Sequence, residues 1–367
     1  MAGALALAAC GSNNNSSTNS SSTPAPGATV SGSATSGGSG IQCASGTLNA
    51  SGSTAQTNAM SVWVKNFQQA CTAATINYTG GGSGKGVTDF SAGTTDFAGS
   101  DFSLNPTTQK PAADQRCGSG NQAIDLPMVP GPIALGYNLP GVSALNLSAK
   151  TLAGIFSGSI KKWNDAAIAA DNPGVSLPST GIQTFHRSDG SGTTFNFTNY
   201  LQHDAGSAWT YGHNKTWPAP GGQGSNGTAG IAQGVKSTAG GIGYMELSFA
   251  VQSNISYAKV GNAQGKFVDL TTANVVNFLS KATVTGTKGD LALTFDYTNP
   301  DTSAYPAVLV TYEIVCATGN KSSALPLLKA FMGYLAGSGQ DILEPNNYVK
   351  LPANIDSQVQ AAVAAMS

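Results

Sequence analysis

The sequence predicts an α/β fold with mostly parallel sheets. Short apolar strands alternate with segments whose apolar residues recur at helical spacing, which indicates strand–helix units. Several predicted strands end in Gly, Ser and Thr just before a helix opens. In folds of this class, anions bind where strands end and helices begin. With 367 residues, the chain is long enough for two domains with cores of their own.

The first set of elements runs to about residue 141. We expect a strand and turn at 47–53, an amphipathic helix, the strand "ATINYT", a short helix that opens at Ser83, and the strand "TTDFAGSD" that ends at Asp101. The amphipathic helix is indicated by apolar residues at helical spacing, namely Met60, Trp63, Val64, Phe67 and Cys71. The apolar stretch 123–141 is expected to form one or two extended segments broken by proline.

A second set of elements repeats this alternation. Helices are expected at "SAKTLAGIFSG", "KKWNDAAIAADNPG", "SGTTFNFTNYLQHD" and "SNGTAGIAQGVKSTAG". Strands are expected at "IQTFHR", "GIGYME" and the strongly apolar "YPAVLVTYEIVCA". A long helix and a final amphipathic segment follow toward the C-terminus. The alternation therefore continues through most of the chain.

The charge of the chain argues against a nucleic-acid partner. Its net charge is −1, and charged residues make up only 10% of the sequence, so there is no basic field to attract phosphate backbones. Gly, Ser, Thr and Asn are plentiful instead, a composition common in exported proteins that bind ligands with neutral dipoles. No segment after the first forty residues has eighteen consecutive apolar residues, so no membrane-spanning segment is predicted there.

The first 45 residues resemble an export signal followed by a tether. A short apolar run ends in Leu7-Ala8-Ala9-Cys10, which is similar to a bacterial lipobox in which the cysteine is lipidated. We interpret residues 1–10 as the remnant of a lipoprotein signal peptide. Residues 11–45 are rich in Ser, Asn and Gly, and we expect a disordered tether there. The alternative for Cys10 is a chance cysteine in an alanine-rich leader.

The four remaining cysteines are candidates for two disulfides. Cys43, Cys71, Cys117 and Cys316 show no C-x-x-C spacing, which argues against zinc or thioredoxin-type chemistry. An even number of cysteines outside the cytosol favours disulfides. Of the three possible connectivities we favour Cys43–Cys71 with Cys117–Cys316, and buried free thiols are the alternative.

The glycine-rich stretch "YTGGGSGKGVTDF" raises the question of a nucleotide site. Aligned on Lys85, the P-loop pattern requires Gly at Thr79 and a hydroxyl residue at Gly86, so both outer positions fail. The nucleophile pattern G-x-S-x-G fails around Ser83 and Ser191 as well. The three histidines show no metal-binding spacing. We therefore predict no enzyme activity, no metal and no cofactor.

Four junctions between strands and helices share a different pattern. They read "SGST", "GGGSGKG", "GSD" and "HRSDGSGTTF", and they combine Gly with small hydroxyl residues. Helix N-termini present unpaired N–H groups, hydroxyls add donors, and Gly allows close approach of the backbone. Each junction alone is better explained as an ordinary cap or turn. Together, with one Arg and one Asp, they predict a polar pocket for a small tetrahedral anion.

The segment "FHRSDGSGTTFNFTNYL" resembles the periplasmic phosphate-binding proteins of phosphate ABC transporters, the PstS family. The resemblance extends through "GSTA", "INYTGGGSGKGV", "TDFAGSD", "LPMVPGPIALGYNLPG", "IFSGSIKKWND" and "GGIGYME", and covers about residues 46–367. It implies a two-lobed periplasmic-binding-protein fold of type II, with a hinge and a ligand between the lobes. Lobe I would comprise residues 46–130 and 306–367, and lobe II residues 131–305.

The resemblance also implies a set of phosphate ligands. The matching positions are Thr54, Ala55 through its backbone N–H, Ser83, Asp101, Arg187, Ser191, Gly192 and Thr193. Two positions depart from the family pattern, which usually has Phe at Ala55 and a small residue at Lys85. We expect Lys85 to point to solvent rather than to add positive potential at the mouth of the site.

The implied function is capture of inorganic phosphate and its delivery to the permease and ATPase subunits of an ABC transporter. The chain would be monomeric and periplasmic or at the cell surface, held to the membrane only by a lipid on Cys10. Asp101 is the expected discriminator, since it can accept the proton of phosphate and repels sulfate, which has none. The alternatives are a binder of sulfate or molybdate, a secreted phosphatase, or a sensing or adhesion role without transport.

Overall fold

The computed structural model describes residues 40–367. The lipobox with Cys10 and most of the predicted tether lie outside these residues. Within them the strands are β1 (Gly46–Gly52), β2 (Ala74–Gly80), β3 (Phe97–Ser100), β4 (Ala123–Asn138), β5 (Asn146–Leu147), β6 (Gln183–Arg187), β7 (Gln223–Ser225), β8 (Gly241–Glu246), β9 (Ser256–Tyr257), β10 (Lys259–Gly261), β11 (Phe267–Val268), β12 (Thr283–Val284), β13 (Leu293–Thr294) and β14 (Val308–Cys316).

The helices follow the strands in the alternation that the sequence predicts. They are α1 (Thr57–Ala70), α2 (Ser83–Ser91), α3 (Lys110–Cys117), α4 (Ala149–Phe156), α5 (Ala166–Asp171), α6 (Gly192–Asp204), α7 (Gly227–Ser237), α8 (Leu247–Gln252), α9 (Thr272–Leu279), α10 (Leu325–Ala336) and α11 (Ala353–Ala365). Across residues 40–367, none of the helices has the length and apolar character needed to cross a bilayer.

The main sheet is mixed, and the prediction of mostly parallel sheets is wrong in this respect. Its strands lie in the order β2-β1-β3-β14-β4-β8-β6-β7, with β9 beside β4. The outer pairs β1–β2, β1–β3, β6–β7 and β6–β8 are parallel. The central strands β14 and β4 pair antiparallel with each other and with β3 and β8. Parallel strand–helix units therefore flank a central antiparallel pair.

Strand β4 is one continuous strand of 16 residues, so the first of the two possibilities expected for the stretch 123–141 holds, and its prolines do not break it. It pairs with β14 over its first part and with β8 only from Ile133 onward. The Ile133 N–H donates to Ala307, so the alternation along the strand turns positions 130 and 132 away from β14. Prolines at these two positions remove no bond of that ladder, which is why the strand tolerates them.

One predicted helix is shorter than expected. In "KKWNDAAIAADNPG" only Ala166–Asp171 is helical, because the Asp165 side chain caps its first turn by accepting from the Ala167 N–H. Trp163 lies before this cap, and its backbone N–H donates to Thr180. The helix therefore begins after the capping residue Asp165, although the helical spacing of apolar residues begins earlier in the sequence.

Two large apolar cores lie along the sheet. One packs α1, α10 and α11 against β1, β2 and the first part of β4. The other packs α4, α6 and α7 against β8 and the second part of β4. On β4 the contacts change from the first core to the second between Val129 and Ile133. The two ends of one long strand thus belong to different cores.

The disulfide pairing agrees with the connectivity favoured from the sequence. Cys43 is bonded to Cys71 and Cys117 to Cys316. Ile41 is buried in the core around α1, so the last part of the stretch predicted as a tether packs on the folded protein. The first disulfide fixes this entry segment to the end of α1, and the second joins α3 to β14.

Candidate functional site

The eight residues implied by the family resemblance lie together where strands end and helices begin. Thr54 and Ala55 follow β1, Ser83 opens α2, Asp101 follows β3, and Arg187 ends β6. The remaining three, Ser191, Gly192 and Thr193, form the start of α6. We refer to these eight residues as the junction cluster. Its charged members, Asp101 and Arg187, are buried, with exposed fractions of 3% and 2%.

Asp101 is surrounded by hydroxyl donors. Its Oδ1 accepts from Ser53 Oγ at 2.5 Å and from Thr311 Oγ1 at 2.7 Å, and its Oδ2 accepts from Ser83 Oγ at 3.0 Å. Burial raises the pKa of Asp101, and the three hydroxyls and the charge of Arg187 counteract burial only in part. Because Oδ2 accepts one bond, it keeps a lone pair for a further donor.

Ser83 joins the two sides of the cluster. Its Oγ accepts from the N–H of Asp101 at 3.0 Å and from the N–H of Gly192 at 3.2 Å. A Cβ at Gly192 would lie 2.5 Å from Asp101 Oδ2 and 2.6 Å from Ser83 Oγ. Only Gly therefore allows the N-terminus of α6 to approach this closely. Asn196 adds a contact from α6, donating from Nδ2 to the Asp101 carbonyl at 2.5 Å.

Arg187 is held by a buried ion pair that leaves one side of the guanidinium for other acceptors. Nε donates to Asp189 Oδ1 at 2.7 Å, and Nη2 pairs with Asp189 Oδ2. Nη1 donates to the hydroxyls of Thr193 at 3.3 Å and Thr228 at 3.2 Å. Burial acts to raise the pKa of Asp189, but the bonds and charge of Arg187 outweigh burial and lower it. The pair is thus ionised at neutral pH.

The start of α6 supplies hydroxyls and backbone donors. The Ser191 hydroxyl caps the helix by accepting from the Thr194 N–H at 3.1 Å. Thr193 donates to Glu246 Oε1 at 2.7 Å. The positive end of the α6 dipole therefore faces Asp101 and Ser83 across the cluster.

Thr54 contacts a fifth junction, between β7 and α7. Its Oγ1 lies 3.1 Å from Thr228 Oγ1 and accepts from the Thr228 N–H at 3.2 Å. The Gly84 N–H donates to the Gly190 carbonyl at 2.8 Å, a second link between the start of α2 and the loop before α6. The junctions of both halves of the chain thus meet directly.

The structure shows where the Ala55 N–H and the Lys85 side chain lie, two details predicted from the sequence. The Ala55 N–H, expected as a ligand donor, donates to Ser53 Oγ at 3.0 Å. Lys85 is half exposed and its Nζ lies 2.5 Å from Asp89 Oδ2, one helical turn along α2. Lys85 therefore neutralises a surface carboxylate and makes no contact with the junction cluster.

Several residues of the site were missed from the sequence. They are Ser53, Asp189, Thr228, Glu246 and Thr311. Thr228 had a signal, since "SNGTAG" repeats the pattern of a strand, a Gly, a hydroxyl residue and a helix. Glu246 had a weaker one, as an acid at the end of the apolar strand "GIGYME". Thr311 had none, because it lies inside a continuous apolar strand.

A second carboxyl, Glu313, lies buried on β14 near Asp101. Both of its oxygens are buried without a hydrogen-bond partner among residues 40–367. Burial raises the pKa of Glu313 to about 8; the side chain of Gln56 lowers it in part, and the charge of Asp101 raises it further. Glu313 therefore holds a proton in the folded protein at neutral pH.

This proton predicts a specific dependence of stability on pH. The folded pKa of about 8 lies above the ordinary value of 4.5, so the stabilisation is complete below pH 4.5 and is lost as the pH rises to 8. Relative to a Glu313→Gln chain, the natural chain is expected to lose up to about 5 kcal/mol of unfolding free energy over this range. Urea unfolding near pH 5 and pH 8.5 measures this difference.

An exposed residue supplies the control for this prediction. Glu344 is exposed, and Glu344→Gln should leave the pH dependence of the natural chain unchanged. If the Glu313→Gln and natural chains give parallel stability curves, Glu313 does not carry the proton.

Two grooves lie elsewhere on the described surface. One open groove of about 590 Å³ runs between α1 and β2, and another of about 460 Å³ lies beside the end of β4. Each is lined by a single exposed lysine as its only charged side chain, Lys65 and Lys236. In the part of the chain from residue 40 on, no group of three or more His, Cys, Asp or Glu side chains is placed to hold a metal ion.

Comparisons with known proteins agree with this architecture. Residues 27–338 match the model of the PBP superfamily domain. The phosphate-binding protein PstS 3 of Mycobacterium tuberculosis is 42% identical over 369 residues, covering 100% of this chain and 96% of that protein.

Solved structures show the same fold. A high-affinity periplasmic phosphate-binding protein, PfluDING, bound with phosphate matches with a TM-score of 0.68 at 21% identity, over 86% of this chain and 93% of the other. A putative phosphate ABC transporter substrate-binding protein of Clostridium perfringens, with bound phosphate, matches with a TM-score of 0.57 at 18% identity, over 84% and 100%. The fold is thus the two-lobed periplasmic-binding-protein fold predicted from the sequence. The chain belongs to the PBP superfamily and, within it, to the family of the PstS phosphate-binding proteins.

Proposed function

We propose that the chain captures inorganic phosphate outside the cytoplasm and delivers it to the membrane subunits of an ABC transporter. The observation that carries this proposal is the pairing of a buried carboxyl with a buried guanidinium inside one cluster of hydroxyls and helix N-termini. Arg187 offers Nη1 donors, and Asp101 Oδ2 keeps a free acceptor position. The proteins that share the fold and the sequence are phosphate-binding proteins by name.

The proposed ligands of phosphate are the eight residues of the junction cluster. Hydroxyl protons rotate freely, so Thr54, Ser83 and Thr193 can exchange their present partners for anion oxygens. The N–H groups at the start of α6 add donors that carry the helix dipole. Arg187 contributes the one cation, and its planar geometry suits two phosphate oxygens.

Asp101 favours phosphate over other tetrahedral oxyanions. Most phosphate species at neutral pH keep at least one proton, which can be donated to Oδ2 of Asp101. Sulfate and molybdate have no such proton, so their oxygens would face the carboxylate lone pairs. Phosphate therefore ranks first among the tetrahedral anions as the ligand of the junction cluster.

The two apolar cores support the proposed lobes. We propose lobe I from residues 46–130 and 306–367 and lobe II from residues 131–305, because the core contacts of β4 change between Val129 and Ile133. The junction cluster lies between them, since Ser83 and Asp101 come from the first lobe and Arg187 from the second. We also propose that the protein acts as a monomer, anchored by a lipid on Cys10.

Isothermal calorimetry tests the proposed function. The chain is expected to bind one phosphate and to bind sulfate far more weakly. The protein is first unfolded, dialysed and refolded to remove any bound ion. The proposal is rejected if this protein binds the two ions with equal affinity or does not bind phosphate. A colorimetric assay with a phosphate monoester separates the phosphatase alternative, for which the expected rate is zero.

A further inference from the structure

Glu246 is a further buried carboxyl at the anion site, and neither the family resemblance nor the sequence patterns assign it a role. It ends β8 and is fully buried. Its Oε1 accepts the Thr193 hydroxyl at 2.7 Å, while Oε2 is buried without a partner among the described residues.

The ordinary structural roles of such a carboxyl do not apply to Glu246. It occupies the N-cap position of α8, yet its side chain makes no capping hydrogen bond. It forms no ion pair with a cation of residues 40–367, whereas Arg187 is engaged by Asp189. An unpaired carboxyl with one empty oxygen is costly to bury, so its place beside the anion site calls for another explanation.

The key observation is the direction of the Thr193 hydroxyl. A hydroxyl has a single proton, and here Thr193 Oγ1 donates it to Glu246 and accepts from Arg187 Nη1 at 3.3 Å. While Glu246 is ionised, its carboxylate holds the Thr193 proton, and turning that proton toward an anion would leave a buried charge without its donor. When Glu246 is protonated, the carboxylic acid can donate to Thr193 Oγ1, and the Thr193 proton becomes free to turn toward the anion.

We propose that Glu246 is a proton-linked positioning residue that takes up a proton from solvent when phosphate binds and so turns the Thr193 hydroxyl into a donor to the anion. The inference rests on the proposed function, because it assigns a role at the same site. One proton moves from water or buffer to a Glu246 carboxylate oxygen. The Thr193 proton stays bonded to Oγ1 and only turns its hydrogen bond from Glu246 to the anion.

The charged and titratable groups around Glu246 agree with this role. Burial raises the pKa of Glu246, and the charge of Asp101 raises it further, while the hydroxyls of Thr193 and Thr228 and the charge of Arg187 lower it. Tyr348, the other titratable neighbour, is buried too. The helices α6 and α7 present only the uncharged hydroxyls of Thr193 and Thr228. A bound anion adds negative charge near Glu246, which further favours the protonated form of this carboxyl.

The test is the number of protons taken up per phosphate, from calorimetry in buffers of different ionisation enthalpy. Glu246→Gln, which cannot titrate, is expected to take up fewer protons than the natural chain, by up to about one per phosphate, at pH values where free Glu246 is ionised. As the pH rises over that range, the phosphate affinity of the natural chain should fall relative to that of Glu246→Gln, by up to about tenfold per pH unit. Glu344→Gln, an exposed control, should match the natural chain.

A second variant separates action through the hydroxyl from simple repulsion between charges. Thr193→Val keeps the shape and the backbone N–H but has no hydroxyl to turn. The proton uptake that Glu246→Gln removes should therefore also be missing in Thr193→Val, and this comparison stands even if Glu246→Gln fails to fold. Full uptake in Thr193→Val, or equal uptake in Glu246→Gln and the natural chain, overturns the inference. Failure of the natural chain to bind phosphate would instead reject the proposed function.

Discussion

An Asp101→Asn chain is expected to lose most of its preference for phosphate over sulfate, with the ratio of the two dissociation constants falling about 100-fold. In the natural chain an ionised Asp101 can only accept, so sulfate brings lone pairs against lone pairs. An amide in the same place offers an N–H as well and removes the negative charge. Ser53, Ser83 and Thr311 can rotate their hydroxyls to suit the amide, so we expect the variant to fold.

Calorimetry with both ions at constant ionic strength measures this ratio. Asp341→Asn is the matched control, because Asp341 is exposed and pairs only with Lys350. Lowering the pH should act in the same direction on the natural chain, since burial raises the pKa of Asp101 and protonation makes it a donor. An unchanged ratio in Asp101→Asn would show that the carboxylate does not discriminate between the ions.

Arg187→Met is expected to weaken phosphate binding by about 1,000-fold or more, which corresponds to the loss of two charge-assisted hydrogen bonds. The substitution also leaves Asp189 as a buried carboxylate without its partner. Removing one member of a buried ion pair costs about 3 kcal/mol or more of unfolding free energy. In Arg187→Met, titration with phosphate should show the weaker binding, and urea unfolding should show the lower unfolding free energy.

A double variant separates the two effects. In Arg187→Met/Asp189→Asn the unpaired charge is gone, so part of the lost stability should return while phosphate binding stays weak. If the double variant recovers binding together with stability, Arg187 acts by supporting the fold and not as a ligand. If it recovers neither, the stability loss has another cause than the unpaired carboxylate.

Local patterns predicted the junctions of this protein well. Each junction combines turn residues, a hydroxyl near the first helical position and an apolar strand before it, and these requirements act within about ten residues. Ser83 and Ser191 thus lie at the helix starts that the sequence indicates. The disulfide connectivity was one of three possibilities, and the sequence could only favour it.

Such local patterns do not predict contacts between segments that are distant in the sequence. Thr311 contributes a hydroxyl to Asp101 from the middle of an apolar strand, 210 residues further along the chain. Glu313 lies inside an apolar strand and Glu246 at the end of one, and the burial of both depends on which strands become neighbours. The order of the strands also explains why β4 is continuous. Its prolines are tolerated only at positions where a backbone N–H would point away from β14, and the sequence alone does not show which strand lies beside β4.

The central claim is that a protonated anion sits between Asp101 and Arg187. A crystal structure of the chain with phosphate, at a resolution that defines the four oxygens, tests it most directly. We predict one phosphate oxygen within about 3 Å of Asp101 Oδ2 and another within reach of Arg187 Nη1, with the N-terminus of α6 against the anion. Phosphate bound outside the junction cluster, or inside it without a contact to Asp101, would contradict the account.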